Sequence, residues 1–174
     1  LQEILADQQM LDFARAQGRA AFADNCAPCH GAGGGGARGY PNLNDDDWLW
    51  GGDINSIYTT LQHGIRYAQD GETRDSMMPA FGDILKPEEI EPVAHYAASL
   101  SGAEADTTKS AAGKELFANN CASCHGEDGK GIQAMGSANL TDKIWRFDGS
   151  PEGIKQTIMY GVNSGDPKAR IAVM

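Results

Sequence analysis

Apolar residues recur along this chain at the three- and four-residue spacing of amphipathic helices, and no stretch keeps the alternation of a strand. One helix is predicted between Asp53, a favourable N-cap, and Gly64, a favourable glycine for ending a helix. Another is predicted between Ser150 and Gly161, with a proline in its first turn. The pattern therefore predicts an all-α fold.

Three further helices are expected. Residues 1–17 form a modestly amphipathic helix, and a second helix leads into Cys26. Apolar residues three, four and seven positions after Ile90 predict a third, near residues 88–100. Pro92 is expected to disturb its first turns, because proline lacks the backbone N–H and clashes with the preceding turn.

The sequence repeats itself once. Residues 18–26 align without gaps with 113–121, and residues 48–65 align without gaps with 145–162. A polar stretch of small residues separates the two copies and is typical of a linker. The predicted organisation is an N-terminal helix at 1–17, a first domain at 18–100, the linker at 101–110 and a second domain at 111–174.

Composition and charge narrow the choice of partners. The chain has 174 residues, with 41% apolar and 22% charged side chains, which is typical of globular rather than disordered proteins. Its formal net charge of −10 disfavours nucleic acid as a partner. Residues 1–100 carry 15 acidic and six basic side chains, so a cationic partner is expected to prefer the first half. No apolar run approaches the roughly 18 residues that a transmembrane helix needs.

Both copies carry the pattern Cys-x-x-Cys-His, and no cysteine lies outside it. This spacing is typical of covalent c-type haem attachment, because two thiols on one turn can bind the same haem and the histidine can bind its iron. A CxxC redox or disulfide pair and a structural zinc site are alternatives that repetition of the whole motif disfavours. Two haem c groups are therefore predicted, outside the cytoplasm, on six residues: Cys26, Cys29, His30, Cys121, Cys124 and His125.

The second axial ligand of each iron decides between electron transfer and the binding of a gas or substrate. For the first haem, Met78 is predicted, because the proline after it stiffens the backbone that presents the thioether. Met77 and His63 are the alternatives. His63 aligns with Tyr160, so the second copy has no equivalent imidazole.

For the second haem, Met174 is predicted as the equivalent of the first methionine ligand. It lies 13 residues after Gly161, at nearly the spacing found in the first copy. Met135 and Met159 are alternatives, but neither matches the position of the first site. His95, in the third helix, is expected to be an exposed or capping histidine rather than a ligand.

Other residues are expected to support the haems. The carbonyls of Pro41 and Ala138 can accept the second ring N–H of the two histidines. Trp48 and Trp145 can donate an indole N–H to a haem propionate, with simple core packing as the alternative. Arg66 can neutralise a propionate or be an ordinary solvated arginine.

Three further elements, together with the paired motifs, make the chain resemble a known family. They are Trp-Leu-Trp-Gly-Gly at 48–52, Gly-Ile-Arg at 64–66 and Met-Pro-Ala-Phe-Gly at 78–82. The second copy adds Asn-Leu-Thr-Asp at 139–142. Over residues 10–174 the sequence resembles the dihaem CcoP or FixP subunit of cbb3-type cytochrome c oxidase.

The resemblance implies two tandem domains of the class I cytochrome c fold, the second truncated at its C-terminal end. It implies that Met78 serves the haem of His30 and that Met174 serves the haem of His125. Residues are expected to be missing before Leu1, including a membrane anchor, and after Met174. The subunit is expected on the periplasmic side of the bacterial inner membrane.

The resemblance also implies a function. The subunit would catalyse nothing by itself and would relay electrons from a soluble, basic cytochrome c to the haem–copper core. Its partners would be the catalytic subunit and a monohaem cytochrome subunit. Alternatives are a dihaem acceptor for a periplasmic dehydrogenase or another reductase, a haem enzyme or gas sensor with an open iron, and a zinc or disulfide module.

Overall fold

The computed structural model describes residues Leu1–Met174 and is helical, with isolated backbone bridges and no strand. The predicted all-α class is confirmed. No helix is at once long enough and apolar enough to cross a membrane. The helices are α1 (Gln2–Ala6), α2 (Gln8–Asn25), α3 (Ala27–His30), α4 (Ile54–His63), α5 (Pro87–Leu100), α6 (Thr107–Asn120), α7 (Ala122–His125) and α8 (Pro151–Tyr160), with 3₁₀ turns at Phe81–Asp83 and Gln133–Met135.

The chain forms two compact units, Leu1–Asp45 and Asp46–Met174. In the first unit, α2 runs without a break into the cysteine motif, so most of the predicted N-terminal helix and the helix before Cys26 are one element. The Asp7 carboxylate caps α2 by accepting from the Met10 N–H at 2.9 Å. The Cys26 N–H still donates to the Phe22 carbonyl, which ties the start of α3 to the end of α2.

In the second unit, α4 and α8 begin and end as predicted. The Asp53 carboxylate accepts from the N–H of Ser56 at 3.1 Å, and the Ser150 hydroxyl accepts from the N–H of Gly153 at 3.1 Å. Gly64 and Gly161 end the two helices with φ of 70° and 74°, which only glycine adopts without strain. Equivalent sequence therefore gives equivalent local structure.

Helix α5 starts at Pro87 and continues through Pro92, so the proline does not break it. The missing N–H of Pro92 removes one bond, to the Glu88 carbonyl, in the first turns of the helix. At the start, the Glu89 carboxylate accepts from the Lys86 N–H at 2.8 Å and closes a capping box. The rest of α5 supplies the predicted apolar face.

The core of the second unit lies where α5 packs between α6 and α8. Gly113 of α6 sits against the backbone of Pro92 and Val93, where an added methyl group would overlap the main chain. This compact unit joins a helix of the first copy, α5, to two helices of the second, α6 and α8. The predicted domains at 18–100 and 111–174 follow the sequence repeat and stay a prediction. The buried apolar residues that form the core of this unit are Leu85, Ile90, Val93, Ala94, Ala97, Ala98, Phe117, Cys121, Ile154 and Ile158.

Candidate haem sites

His30 ends the short helix α3 and is 9% exposed. Its Nδ1 lies 3.1 Å from the Pro41 carbonyl oxygen. Because a carbonyl only accepts, the Nδ1 carries the proton and donates it. The Nε2 therefore keeps its lone pair, which is the form of imidazole that binds a metal.

His125 ends α7 and repeats this arrangement in the second unit. Its Nδ1 donates to the Ala138 carbonyl oxygen at 2.9 Å. Burial lowers the pKa of His125, which favours the neutral ring. Both carbonyl partners expected from the sequence, Pro41 and Ala138, are confirmed.

The loop after each histidine is fixed by matching backbone bonds. The His30 carbonyl accepts from the Gly36 N–H at 2.8 Å, and the His125 carbonyl accepts from the Gly131 N–H at 2.7 Å. Further along, the Leu43 and Leu140 N–H groups donate to Gly34 and Gly129. The bonds match although the second loop is two residues longer. They hold the carbonyl-bearing segment against the cysteine motif in both copies.

The four cysteine thiols are free. Burial, reinforced by the neighbouring Cys124, raises the pKa of Cys121 to about 11. No three His, Cys, Asp or Glu side chains are grouped so that they could hold a metal ion.

Met78 is bridged to the second copy of the repeat. Its N–H donates to the Val162 carbonyl at 3.1 Å, and the Val162 N–H donates back at 3.0 Å. Val162 is the second-copy equivalent of Ile65. The Met78 side chain is partly buried against the core cluster that contains Cys121.

Met174 is bridged to the first copy in the same way. Its N–H donates to the Ile65 carbonyl at 2.9 Å, and the Ile65 N–H donates back at 2.7 Å. The side chain of Met174 is 45% exposed. Each methionine thus pairs with the residue that follows the helix-ending glycine of the other copy. The predicted ligation of each haem by the methionine of its own copy stays a prediction.

The alternative ligands occupy other environments. Both ring nitrogens of His63 face carboxylates, Nδ1 with Asp70 at 3.0 Å and Nε2 with Glu72 at 3.5 Å. Met77 and Met135 are 57% and 44% exposed. Of the remaining two candidates, Met159 lies in α8 beside Gly82, and the Nδ1 of His95 accepts from the Asp106 N–H.

Three nitrogen-bearing side chains, two of which have buried and unpaired N–H groups, were not predicted from the sequence. Trp50 Nε1 and Asn163 Nδ2 are buried without a hydrogen-bond partner. Arg146 is half-buried, and burial together with Arg66 lowers its pKa, against the opposing effect of Asp47. Buried donors of this kind require an acceptor, and carboxylates such as haem propionates meet that need.

A signal for one of these donors was present in the repeat. Asn163 aligns with Arg66, and both follow the helix-ending glycine with φ of 52° and 57°. Trp50 belongs to the Trp-x-Trp element, but the indole donor to a propionate was predicted at Trp48, which packs on Gly52. Trp145 packs against the core cluster, as its alternative reading expected.

Comparison with known proteins tests the resemblance. The family profile for cytochrome c matches residues 15–101 and 110–169, so it covers both copies of the repeat. The chain belongs to the cytochrome c family. Proteins of this family bind haem c covalently, and the tandem cytochrome c domains inferred from sequence are confirmed.

Curated relatives define the resemblance more closely. The chain is 56% identical over 162 residues to the cbb3-type cytochrome c oxidase subunit FixP of Azorhizobium caulinodans, which covers 92% of this chain and 55% of that protein. It is 53% identical over 145 residues to FixP of Rhizobium meliloti, covering 83% and 50%. It is 49% identical over 162 residues to the subunit CcoP of Cereibacter sphaeroides, covering 92% and 56%.

The predicted resemblance of this cytochrome c to CcoP and FixP is therefore confirmed. The chain spans about half the length of the curated relatives it matches.

Proposed function

We propose that this cytochrome c carries two haem c groups and relays electrons within a cbb3-type oxidase. The observation that carries the proposal is the duplicated histidine site, in which His30 and His125 each donate Nδ1–H to a fixed carbonyl and keep Nε2 free. The names of the relatives favour an oxidase over a dehydrogenase acceptor. With both irons closed by protein ligands, the chain would pass electrons and catalyse nothing by itself.

The residues present fit such a group. Bound haem c supplies a one-electron iron couple whose potential the axial ligands tune. Cys26 and Cys29 would hold one haem by thioether bonds, and Cys121 and Cys124 the other. The unpaired donors Trp50 Nε1 and Asn163 Nδ2, and the guanidinium of Arg146, would hold haem carboxylates.

The axial methionines are best paired across the two copies. Met78 is bridged to Val162 and packs on the cluster around Cys121, which supports a role beside His125. With Met78 assigned to the haem of His125, Met174 is the methionine left for the haem of His30. A thioether is a soft ligand that favours the reduced iron, so both sites would suit an electron relay.

The partners follow from the relatives and from charge. As a FixP- or CcoP-like subunit, the chain would assemble with the catalytic core and a monohaem cytochrome subunit on the periplasmic side of the inner membrane. Its first 100 residues hold 15 acidic and six basic side chains. A basic soluble cytochrome c would dock there, and its association rate would fall with ionic strength.

One spectroscopic experiment tests the haem content. The reduced pyridine haemochrome of the purified protein is expected to give two haem c groups per chain, which stay attached in acidic acetone. Ferric protein is expected to show the near-infrared methionine–iron charge-transfer band at both sites. Extractable pigment, a single haem, or ferrous protein that binds carbon monoxide at once would contradict the proposal.

A second experiment assigns the methionines. In reduced protein labelled at the methionine methyl groups, two strongly ring-current-shifted methyl signals are expected. Met78→Ala should remove the signal that shows nuclear Overhauser contacts to the haem attached at Cys121 and Cys124. Met174→Ala should remove the signal that contacts the other haem. The reverse assignment would restore the pairing within each copy.

A further inference from the structure

A single guanidinium, that of Arg66, contacts both methionine-bearing segments. Its Nε donates to the Ser76 carbonyl at 2.5 Å, and its Nη2 donates to the Ser76 hydroxyl at 2.8 Å. Its Nη1 donates to the Ala172 carbonyl at 2.7 Å. Three of its five N–H donors thus bind two chain segments. Ser76 lies ten residues after Arg66 in the sequence, and Ala172 lies 106 residues after it.

The two contacted residues hold the same place relative to the two methionines. Ser76 lies two residues before Met78, and Ala172 lies two residues before Met174. Two residues is the repeat of extended backbone, so a carbonyl fixed at one position limits the freedom of the residue two further on. Arg66 therefore acts at equivalent points of both segments.

We propose that Arg66 is the positioning residue for both axial methionines, holding the Met78 and Met174 segments in register with each other. The inference rests on the proposed function, in which both methionines bind iron. The hydrogen bonds of Arg66 go to Ser76 and Ala172 and not to either sulfur. Arg66 fixes the backbone that presents each one, so a change at Arg66 alters both sites together.

The setting of Arg66 explains how it can serve two segments. Its own backbone has φ of 57° and is fixed by its N–H, which donates to the Arg74 carbonyl at 2.8 Å. The side chain is half-buried, and burial lowers its pKa against the opposing charge of Asp75. The planar fork of arginine carries five donors on three nitrogens in a fixed geometry, whereas the three donors of lysine share one nitrogen and reach acceptors around a single point.

The second copy supplies the natural comparison. Asn163 occupies the equivalent position with nearly the same φ, and its Oδ1 accepts from the Ala172 N–H at 2.9 Å. It reaches the Met174 segment alone. Arg66→Asn therefore keeps a residue that tolerates the left-handed backbone and removes the bridge between the segments.

The test uses the protein with both haems attached and follows backbone hydrogen exchange and the near-infrared band. In Arg66→Asn, the amides of Met78 and Val162 and those of Ile65 and Met174 are expected to exchange about tenfold faster or more, because a charged donor is lost from both segments. The methionine–iron band is expected to weaken at both haems, and both reduction potentials to fall.

Three variants separate this role from general damage. Ser76→Ala removes one Arg66 contact and should speed exchange at Met78 only. Arg74→Gln removes a neighbouring arginine that binds Thr60 Oγ1 and the Ser56 carbonyl, and should leave both methionine segments protected. Arg66→Lys keeps the charge and should recover one segment at most.

The outcomes are distinct. If Arg66→Asn leaves exchange and both bands as in the wild-type protein, or changes one segment only, the positioning role is wrong. If Arg74→Gln has the same effect as Arg66→Asn, the effect is general loosening and the role is again wrong. If the wild-type protein has no methionine–iron band, the proposed ligation of iron by methionine is wrong. Faster exchange of both segments in Arg66→Asn would then still show that Arg66 holds the two segments together. If Arg66→Asn does not fold, Ser76→Ala and Arg66→Lys decide.

Discussion

Helices α4 and α8 align in sequence and begin and end in the same way, yet the apolar face of α8 is buried and that of α4 is exposed. Each starts at a side-chain cap and ends at a glycine with φ near 70°. Leu61 of α4 is 60% exposed, whereas the aligned Ile158 of α8 is 4% exposed. Local sequence forms the helix in both cases, and the partner decides what is buried.

The partner of α8 is α5, the third helix of the first copy. It contributes five buried residues and an ion pair in which Glu91 lies 2.5 Å from Lys109 of α6. Glu91 also approaches Lys155 of α8 at 3.9 Å. The exposed charges contribute little, so the apolar contacts of α5 are what distinguish the two helices.

The largest effect is expected at the aligned pair Ile158 and Leu61. Ile158→Ala removes a buried side chain and should lower the free energy of unfolding by about 2–5 kcal/mol. Leu61→Ala changes an exposed side chain and should lower it by less than about 0.5 kcal/mol. Denaturant unfolding, followed by far-ultraviolet circular dichroism, measures both. An equal loss in the two variants would reveal that another surface, such as a haem, covers α4.

A second aligned pair, Gly113 and Gly18, should respond with opposite signs. A methyl group at Gly113 would overlap the backbone of Pro92, so Gly113→Ala should force α6 away from α5 and cost about 1–3 kcal/mol. A methyl group at Gly18 meets nothing within 4 Å, and alanine favours the helix by about 0.5–1 kcal/mol. Thermal unfolding of the two variants gives the signs. Stabilisation by Gly113→Ala would mean that α5 and α6 do not cross as closely in solution.

The smallest effect concerns the caps. Hydrogen bonds from Ser56, whose hydroxyl and N–H both donate to the carboxylate, hold the pKa of Asp53 below its ordinary value. A lowered folded-state pKa means that the cap stabilises α4 above the unfolded pKa and loses this contribution as the pH falls through the folded value, below about pH 4.

Asp53→Ser gives α4 the type of cap that α8 has and serves as the control. In the wild-type protein, the amides of Asn55 and Ser56 should lose protection from hydrogen exchange at acid pH. In Asp53→Ser this dependence should disappear. A pH response that survives the substitution would have to come from another carboxylate.

Most local features of the fold could be predicted from sequence because their causes are local. The caps of α4 and α8 need only the residues that flank them. The carbonyl partners of His30 and His125 follow from loops that begin in the cysteine motif itself. Because the sequence is duplicated, each of these features was predicted at two equivalent positions, and the two predictions agreed with each other.

The placement of the methionine segments could not be predicted in this way. Aligning the two copies shows that Met78 and Met174 occupy equivalent positions. The alignment does not show whether each methionine segment forms backbone hydrogen bonds with its own copy or with the other copy. That choice depends on backbone bridges to Ile65 and Val162, which are nearly identical in character. The unpaired indole N–H of Trp50 could not be predicted either. The sequence does not show which tryptophan of the Trp-x-Trp element has an indole N–H without an acceptor.

The bridge from Arg66 to Ala172 sets an order of events during synthesis. The two residues are 106 positions apart, so the ribosome must add that many amino acids after Arg66 before its last acceptor exists. At about 5–20 residues per second, the guanidinium waits several seconds or more. The Met78 segment is therefore complete several seconds before the last hydrogen bond of Arg66, the one that ties it to the Met174 segment, can form.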